Sequence, residues 1–157
     1  MSEHVEQQPA AVARYVWRYT IVYSLAVLAT AAVLLMLDIQ GNAGAAMGAV
    51  VIGVVAAAML FVKEQRRVPT PAERGWLVAG SLLTSWLISL LLFALFIVVM
   101  TGFEGLRASL LLLGDYQLHV LIGVVAVSSA LHALVLWFFY GLFAKQQLRA
   151  LQQSDGA

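Results

Sequence analysis

The sequence predicts an all-α integral membrane protein with four transmembrane helices and with both termini on the cytoplasmic side. Three observations lead to this fold class: an unusually apolar composition, four long apolar stretches and an uneven distribution of Lys and Arg. Hydrophobic residues make up 62% of the 157 residues and charged residues 11%, against about 45–50% and about 25% in soluble domains. We therefore expect residues 1–157 to form a single membrane domain.

Four stretches are long enough to cross a bilayer. A helix rises 1.5 Å per residue, so about 20 mostly apolar residues span a hydrocarbon core about 30 Å thick. The stretches that qualify are residues 15–37, 43–62, 76–100 and 118–143. None of them has an acidic or basic residue in its central part, which is typical of transmembrane helices.

The basic residues predict the orientation of these spans. Only Arg107 lies between spans three and four. The other eight of the nine basic residues lie before or at the start of span one, between spans two and three, or after span four: Arg14, Arg18, Lys63, Arg66, Arg67, Arg74, Lys145 and Arg149. Cytoplasmic loops carry an excess of Lys and Arg, so the termini and the middle loop are predicted to be cytoplasmic. An aromatic belt is expected at the same interface, formed by Tyr15, Trp17, Tyr19, Tyr23, Trp76, Trp137 and Tyr140.

Helix three has clear start and stop signals. Thr70 and Glu73 have the spacing of a capping box, and Pro71 suits the first helical position between them. Gly102 marks the other end of the helix. Residues 103–113 are apolar with two charges and too short to span, so we predict a short periplasmic interfacial helix between helices 3 and 4, either a lid or docking ridge or an ordinary connector.

Span two has small residues at every fourth position, and a GxxxG pair lies beside them. Because there is little hydrophobic drive between helices in lipid, close approach at small residues is how two helices gain dispersion contacts. This stripe predicts a packing face, which could meet a helix of this chain or a helix of a partner. Its residues are Gly41, Ala45, Ala49, Gly53 and Ala57, with Gly44 and Gly48 as the pair.

Spans three and four contain polar side chains at helical spacing. Ser81, Ser85 and Ser89 lie at successive turns of span three, and span four has His132 with Ser128 one turn before it. An ionisable group inside a membrane is a functional-site hypothesis. The alternative is a structural histidine that is hydrogen-bonded to a serine of span three.

The sequence offers little for catalysis. It has no cysteine, which excludes disulfides and thiolate metal sites, and it has no P-loop or dinucleotide-binding glycine pattern. His119 and His132 lack partner residues that could serve as second axial ligands of a haem. Ser81 lacks the residues that flank a serine nucleophile. A proton relay would need Asp or Glu inside the spans, and the predicted spans contain neither. We expect a protein that is not an enzyme, with no cofactor and no metal. Its net charge of +1 without a basic patch in water predicts no nucleic-acid partner.

The junction between spans two and three has the sequence FVKEQRRVPTPAER at residues 61–74, followed by a Ser- and Leu-rich span. In this respect the chain resembles a family of uncharacterised four-span inner-membrane proteins of Gram-negative bacteria, and the likeness extends over most of the chain. Its size and topology are also similar to membrane-embedded immunity proteins, which protect bacteria from pore-forming toxins. The resemblance implies the bacterial inner (cytoplasmic) membrane and carries over no catalytic residue.

Two classes of function remain open. The first is a non-enzymatic protein that binds another membrane protein through its helices, most concretely an immunity protein against a pore-forming toxin. The second is a small transporter or channel subunit that becomes competent as an oligomer, with Ser81, Ser85, Ser89 and His132 along its path. An assembly subunit of a larger membrane complex is a further form of the binding role.

The predicted topology can be tested with reporter fusions. A reporter that is active only in the periplasm should give signal near Asn42 or Gly105 and no signal near Arg67 or after Ser154, because the basic loops stay inside. Signal from the Arg67 fusion would reverse the orientation.

Overall fold

The computed structural model describes residues 12–38, 43–115 and 118–155, and these residues are helical almost throughout, with no strand among them. Four of the helical stretches are long and apolar enough to cross a membrane, which indicates a multi-pass membrane protein. Each predicted span overlaps one of these stretches, and the third and fourth stretches are longer than the predicted spans. The elements are α1 Val12–Met36, α2 Ala43–Gln65, α3 Pro71–Asp115, α4 Leu118–Phe138, a π-helical turn Phe139–Phe143 and α5 Ala144–Asp155.

The eight basic residues that define the predicted topology gather at one end of the bundle, which we call the basic end. There the guanidinium of Arg14 lies 2.9 Å from the carboxylate of Glu64, and Arg18 forms a second ion pair with it. Hydrogen bonds from Arg18 and Tyr15 together with the charge of Arg14 hold the pKa of Glu64 below its usual range. Because α1 begins where α2 ends, this carboxylate ties the two helices together.

The capping box at the start of α3 is confirmed. The backbone N–H of Thr70 donates to a carboxylate oxygen of Glu73 at 2.9 Å, and the N–H of Glu73 donates to the hydroxyl of Thr70 at 3.3 Å. Two guanidinium nitrogens of Arg67 donate to the same carboxylate, at 2.6 and 2.7 Å. A bidentate pair of this kind fixes the geometry of the connection between α2 and α3.

The small-residue stripe of α2 packs within the chain. Ala49 and Ala57 are buried, and a Cβ added at Gly53 would lie 3.0 Å from the ring of Tyr19. The GxxxG pair does not share this face, since Gly44 and Gly48 are exposed. Gly41 and the side chain of Ala45 lie outside the described residues. The described part of the stripe is therefore a packing face within the chain, and α1 contacts it at Gly53.

The aromatic residues of the expected belt differ in exposure according to residue type. Trp17 and Trp76 are 64% and 72% exposed, whereas Tyr15 and Tyr19 are fully buried and Tyr23 nearly so. The tyrosines recur every fourth residue and hence share one face of α1, which turns toward α2 and α3. Their assignment to the interface was wrong because it counted aromatic residues near a helix end without following the helical period. Tyr140 is buried as well.

The core occupies only the half of the bundle near the basic end. Beyond Tyr23, Ala49, Ser85 and His132, no side chain of the described residues is more than partly buried. We call this loosely packed part the far half. At its extremity α3 bends at Gly102, whose backbone has φ 74° and ψ −177°, a conformation that suits glycine. This bend confirms the helix break predicted at Gly102, after which the chain is helical again to Asp115.

A pair of matched glycine substitutions tests the packing of α1 on α2. Gly53→Leu should lower the free energy of unfolding by about 1–3 kcal/mol, because the new side chain would overlap the ring of Tyr19. Gly48→Leu in the same helix should leave stability unchanged or slightly higher, since nothing lies within 4 Å of its Cβ position. Unfolding in mixed detergent micelles measures both variants. Equal effects would mean that α1 and α2 do not meet at Gly53.

Candidate intramembrane site

A cavity of about 200 Å³ lies between the four spanning helices, where the packed core ends and the far half begins. Every spanning helix contributes to its wall. The lining residues are Tyr23 from α1, Met47 and Val50 from α2, Ser85, Trp86 and Ser89 from α3, and Ser128 and His132 from α4. Four of the five polar residues that the sequence singled out inside the spans therefore meet at one place.

The serines of α3 are each paired with a tyrosine hydroxyl. The oxygen–oxygen distances are 3.0 Å for Ser81 and Tyr140, 2.6 Å for Ser85 and Tyr19, and 2.9 Å for Ser89 and Tyr23. Two tyrosines come from α1 and one comes from the π-helical turn. These bonds join three elements along one face of α3 and satisfy hydroxyl groups that would otherwise be costly to place in lipid.

His132 faces a different partner from the one that the sequence predicted. Its Nε2 lies 3.5 Å from the hydroxyl of Tyr19, at the long limit of a hydrogen bond, and no serine of α3 bonds to it. The prediction of a serine partner was wrong because it did not allow for Tyr19 of α1, whose hydroxyl lies between Ser85 and His132. Histidine, tyrosine and serine thus form one connected chain.

Tyr140 is a functional candidate that the sequence analysis placed at the membrane interface. It lies in the π-helical turn Phe139–Phe143, which carries one extra residue per turn and so changes the direction in which its side chains point. Beside it, a Cβ at Gly141 would lie 2.5 Å from the guanidinium of Arg74, and that guanidinium stacks on the ring of Trp137 at 3.7 Å. In the sequence, a glycine at position 141 among aromatic residues could have indicated that another group, here the guanidinium of Arg74, lies close to the backbone.

The cavity presents hydroxyl groups, an imidazole and aromatic rings. Among the described residues no group of three or more His, Cys, Asp or Glu side chains comes together. His119 is exposed on α4, and its 13-residue separation from His132 corresponds to about 20 Å along the helix axis. This set of side chains can bind a group by hydrogen bonding and apolar contact, and it holds neither the carboxylates nor the ligand cluster of a metal centre.

Comparison of the chain with protein-family models, with curated proteins and with solved structures finds no match.

A double-mutant cycle tests the hydroxyl pair nearest the cavity. Tyr19→Phe and Ser85→Ala should show a coupling energy of about 0.6 kcal/mol for unfolding in detergent micelles, the average for hydrogen bonds between membrane helices, and at most about 1.7 kcal/mol. Ser129 bonds to Trp86 instead, so the cycle of Tyr19→Phe with Ser129→Ala should give a coupling near zero. No coupling in the first cycle would show that this hydrogen bond does not stabilise the bundle.

Proposed function

We propose that this chain is a non-enzymatic membrane protein that binds another membrane protein through its helices, and that the binding region is the far half with the cavity at its base. The observation that carries the proposal is the change in packing along the bundle. Near the basic end the four helices enclose a core of tyrosine, valine and alanine side chains. In the far half no described side chain of the four helices is more than partly buried.

Packing of this kind leaves the far half able to accept another helix. A helix bundle ordinarily buries one face of each helix along its length, and in lipid such contacts depend on van der Waals packing and interhelical hydrogen bonds. Here the far half has an exposed small residue on α2, Gly48, and another on α4, Gly123, with nothing within 4 Å of their Cβ positions. Small exposed residues permit the close approach that association of membrane helices requires.

The most concrete form of this proposal is immunity against a pore-forming antibacterial toxin in the bacterial inner membrane. With the basic end in the cytoplasm, the far half and the helical segment after Gly102 lie on the periplasmic side, which is the side from which such a toxin inserts. The segment carries Glu104 and Arg107 and exposes Phe103 and several leucines. An amphiphilic segment of this length suits the membrane surface.

A second candidate is a small transporter or channel subunit that acts as an oligomer. It is favoured by the convergence of Ser85, Ser89, Ser128 and His132 on one cavity, since polar residues at membrane depth often mark a solute path. Ser81 does not support it, because that hydroxyl is fully buried against Tyr140. Solute flux in liposomes that is abolished by His132→Ala would favour transport over partner binding.

Expression of the chain in toxin-sensitive cells, followed by challenge with a pore-forming toxin encoded beside its gene, tests the immunity form. The parent chain should raise survival. Ser128→Trp should lower that protection about tenfold, equivalent to about 1.4 kcal/mol of binding, because the indole would occupy the exposed mouth of the cavity.

Leu131→Trp is the matched control for this experiment. Leu131 is 55% exposed on the same helix and does not line the cavity, so the parent level of protection should persist. Absence of protection by the parent chain would refute the immunity role. Protection that is unchanged in Ser128→Trp would remove the cavity from the binding region.

A further inference from the structure

The backbone carbonyl oxygen of Ser81 can only accept a hydrogen bond, and this fixes the direction of each hydrogen bond that leads from it to the cavity. The hydroxyl of Ser85 lies 2.8 Å from the backbone carbonyl of Ser81, and a carbonyl oxygen can only accept. Ser85 has one hydroxyl proton, which this bond uses. Its short contact of 2.6 Å with Tyr19 must therefore be a bond in which the Tyr19 hydroxyl donates and Ser85 accepts.

The same reasoning extends to the histidine. Because the only hydroxyl proton of Tyr19 goes to Ser85, the Tyr19 oxygen can only accept at its other contact, the 3.5 Å approach of His132. The Nε2 atom of His132 must then carry a proton. In a neutral imidazole one ring nitrogen donates and the other accepts, so Nδ1 of His132 has a free lone pair. Nδ1 has no hydrogen-bond partner in the part of the chain that the structure describes.

We propose that the cavity is a binding site for a group that donates a hydrogen bond, an N–H or an O–H, and that Nδ1 of His132 is its acceptor. The backbone carbonyl of Ser81, the hydroxyls of Ser85 and Tyr19, and His132 thus form a hydrogen-bond network that holds the imidazole in one tautomer, as a partner of one ring nitrogen commonly does. The indole N–H of Trp86 cannot take the place of the ligand, because it donates to Ser129 at 3.1 Å.

The remaining wall fits a compact and largely apolar ligand group. Met47 and Val50 supply aliphatic surface, and the hydroxyls of Tyr23 and Ser89 are bonded to each other at 2.9 Å. Ser128 is exposed at the mouth. A side chain of a partner helix or a small solute could present the same donor. This inference rests on the proposed function in one respect: the group that occupies the cavity belongs to another molecule.

The tautomer can be measured without any ligand. In the protein labelled with ¹⁵N-histidine and reconstituted in bilayers at about pH 8, above the ordinary imidazole pKa of about 6.5, the His132 spectrum should show a protonated Nε2 and an unprotonated Nδ1. Ser85→Ala removes the acceptor of the Tyr19 proton, so Tyr19 should donate to Nε2 and the histidine proton should move to Nδ1.

Ser81→Ala is the matched control for the tautomer. It removes a hydroxyl one turn away and keeps the carbonyl that accepts from Ser85, so the parent tautomer should persist. A parent spectrum with the proton on Nδ1, or a tautomer that does not respond to Ser85→Ala, would overturn the assignment of the network and with it the proposal.

Two probes of nearly equal shape test the ligand chemistry. Pyrrole carries an N–H donor, whereas furan has an oxygen in the same position and cannot donate. Pyrrole should shift the Nδ1 resonance of His132, and furan at the same membrane concentration should not. Ser128→Trp should abolish the pyrrole effect because it fills the mouth. Equal shifts from both probes, or no shift from pyrrole, would refute a donor-selective site.

These experiments separate this inference from the proposed function. A donor-selective cavity in a chain that gives no protection against the toxin would support the site and point to a solute as its occupant. Protection by a chain whose cavity does not distinguish pyrrole from furan would support partner binding and refute the donor site.

Discussion

Close approach of α1 to α2 at Gly53 determines where the tyrosine hydroxyls of α1 lie. A Cβ at Gly53 would press on Tyr19, so the glycine gives the tyrosine-bearing face of α1 room to rest closely on the small-residue face of α2. With the rings of Tyr19 and Tyr23 stacked in parallel, their hydroxyls reach Ser85 and Ser89 of α3. In lipid, such packing and hydrogen bonding take the part that the hydrophobic effect plays in water.

Polar contacts at the basic end complement this arrangement. Glu64 joins the start of α1 to the end of α2 through Arg14 and Arg18, while Arg67 and Glu73 secure the connection to α3. Tyr140 from the π-helical turn adds α4 to the same serine face. The bundle is thus constrained at one end and along its core, and it is more loosely packed in the far half, where the candidate cavity begins. This division is the basis of the proposed role in binding.

Much of the architecture could be predicted because membrane insertion leaves strong local signals. Four apolar stretches, the capping box at Thr70 and Glu73 and the bend at Gly102 depend on short segments and on hydropathy, and all are present in the structure. The tyrosines were misplaced in the sequence analysis because composition alone does not distinguish an interfacial tyrosine from a buried one. Only their spacing on the helix, together with the glycine face opposite them, distinguishes the two locations.

The sequence by itself determined the number of helices long and apolar enough to span a membrane and the start and stop signals of the third helix, because each depends on residues close together in the chain. Only the tertiary structure decided that the stripe of α2 receives α1, that Tyr19 lies between Ser85 and His132, and that a cavity forms where the core ends. These contacts join residues up to 113 positions apart. Such partners depend on the rotation and depth of each helix in the bundle, which the period of one helix does not specify.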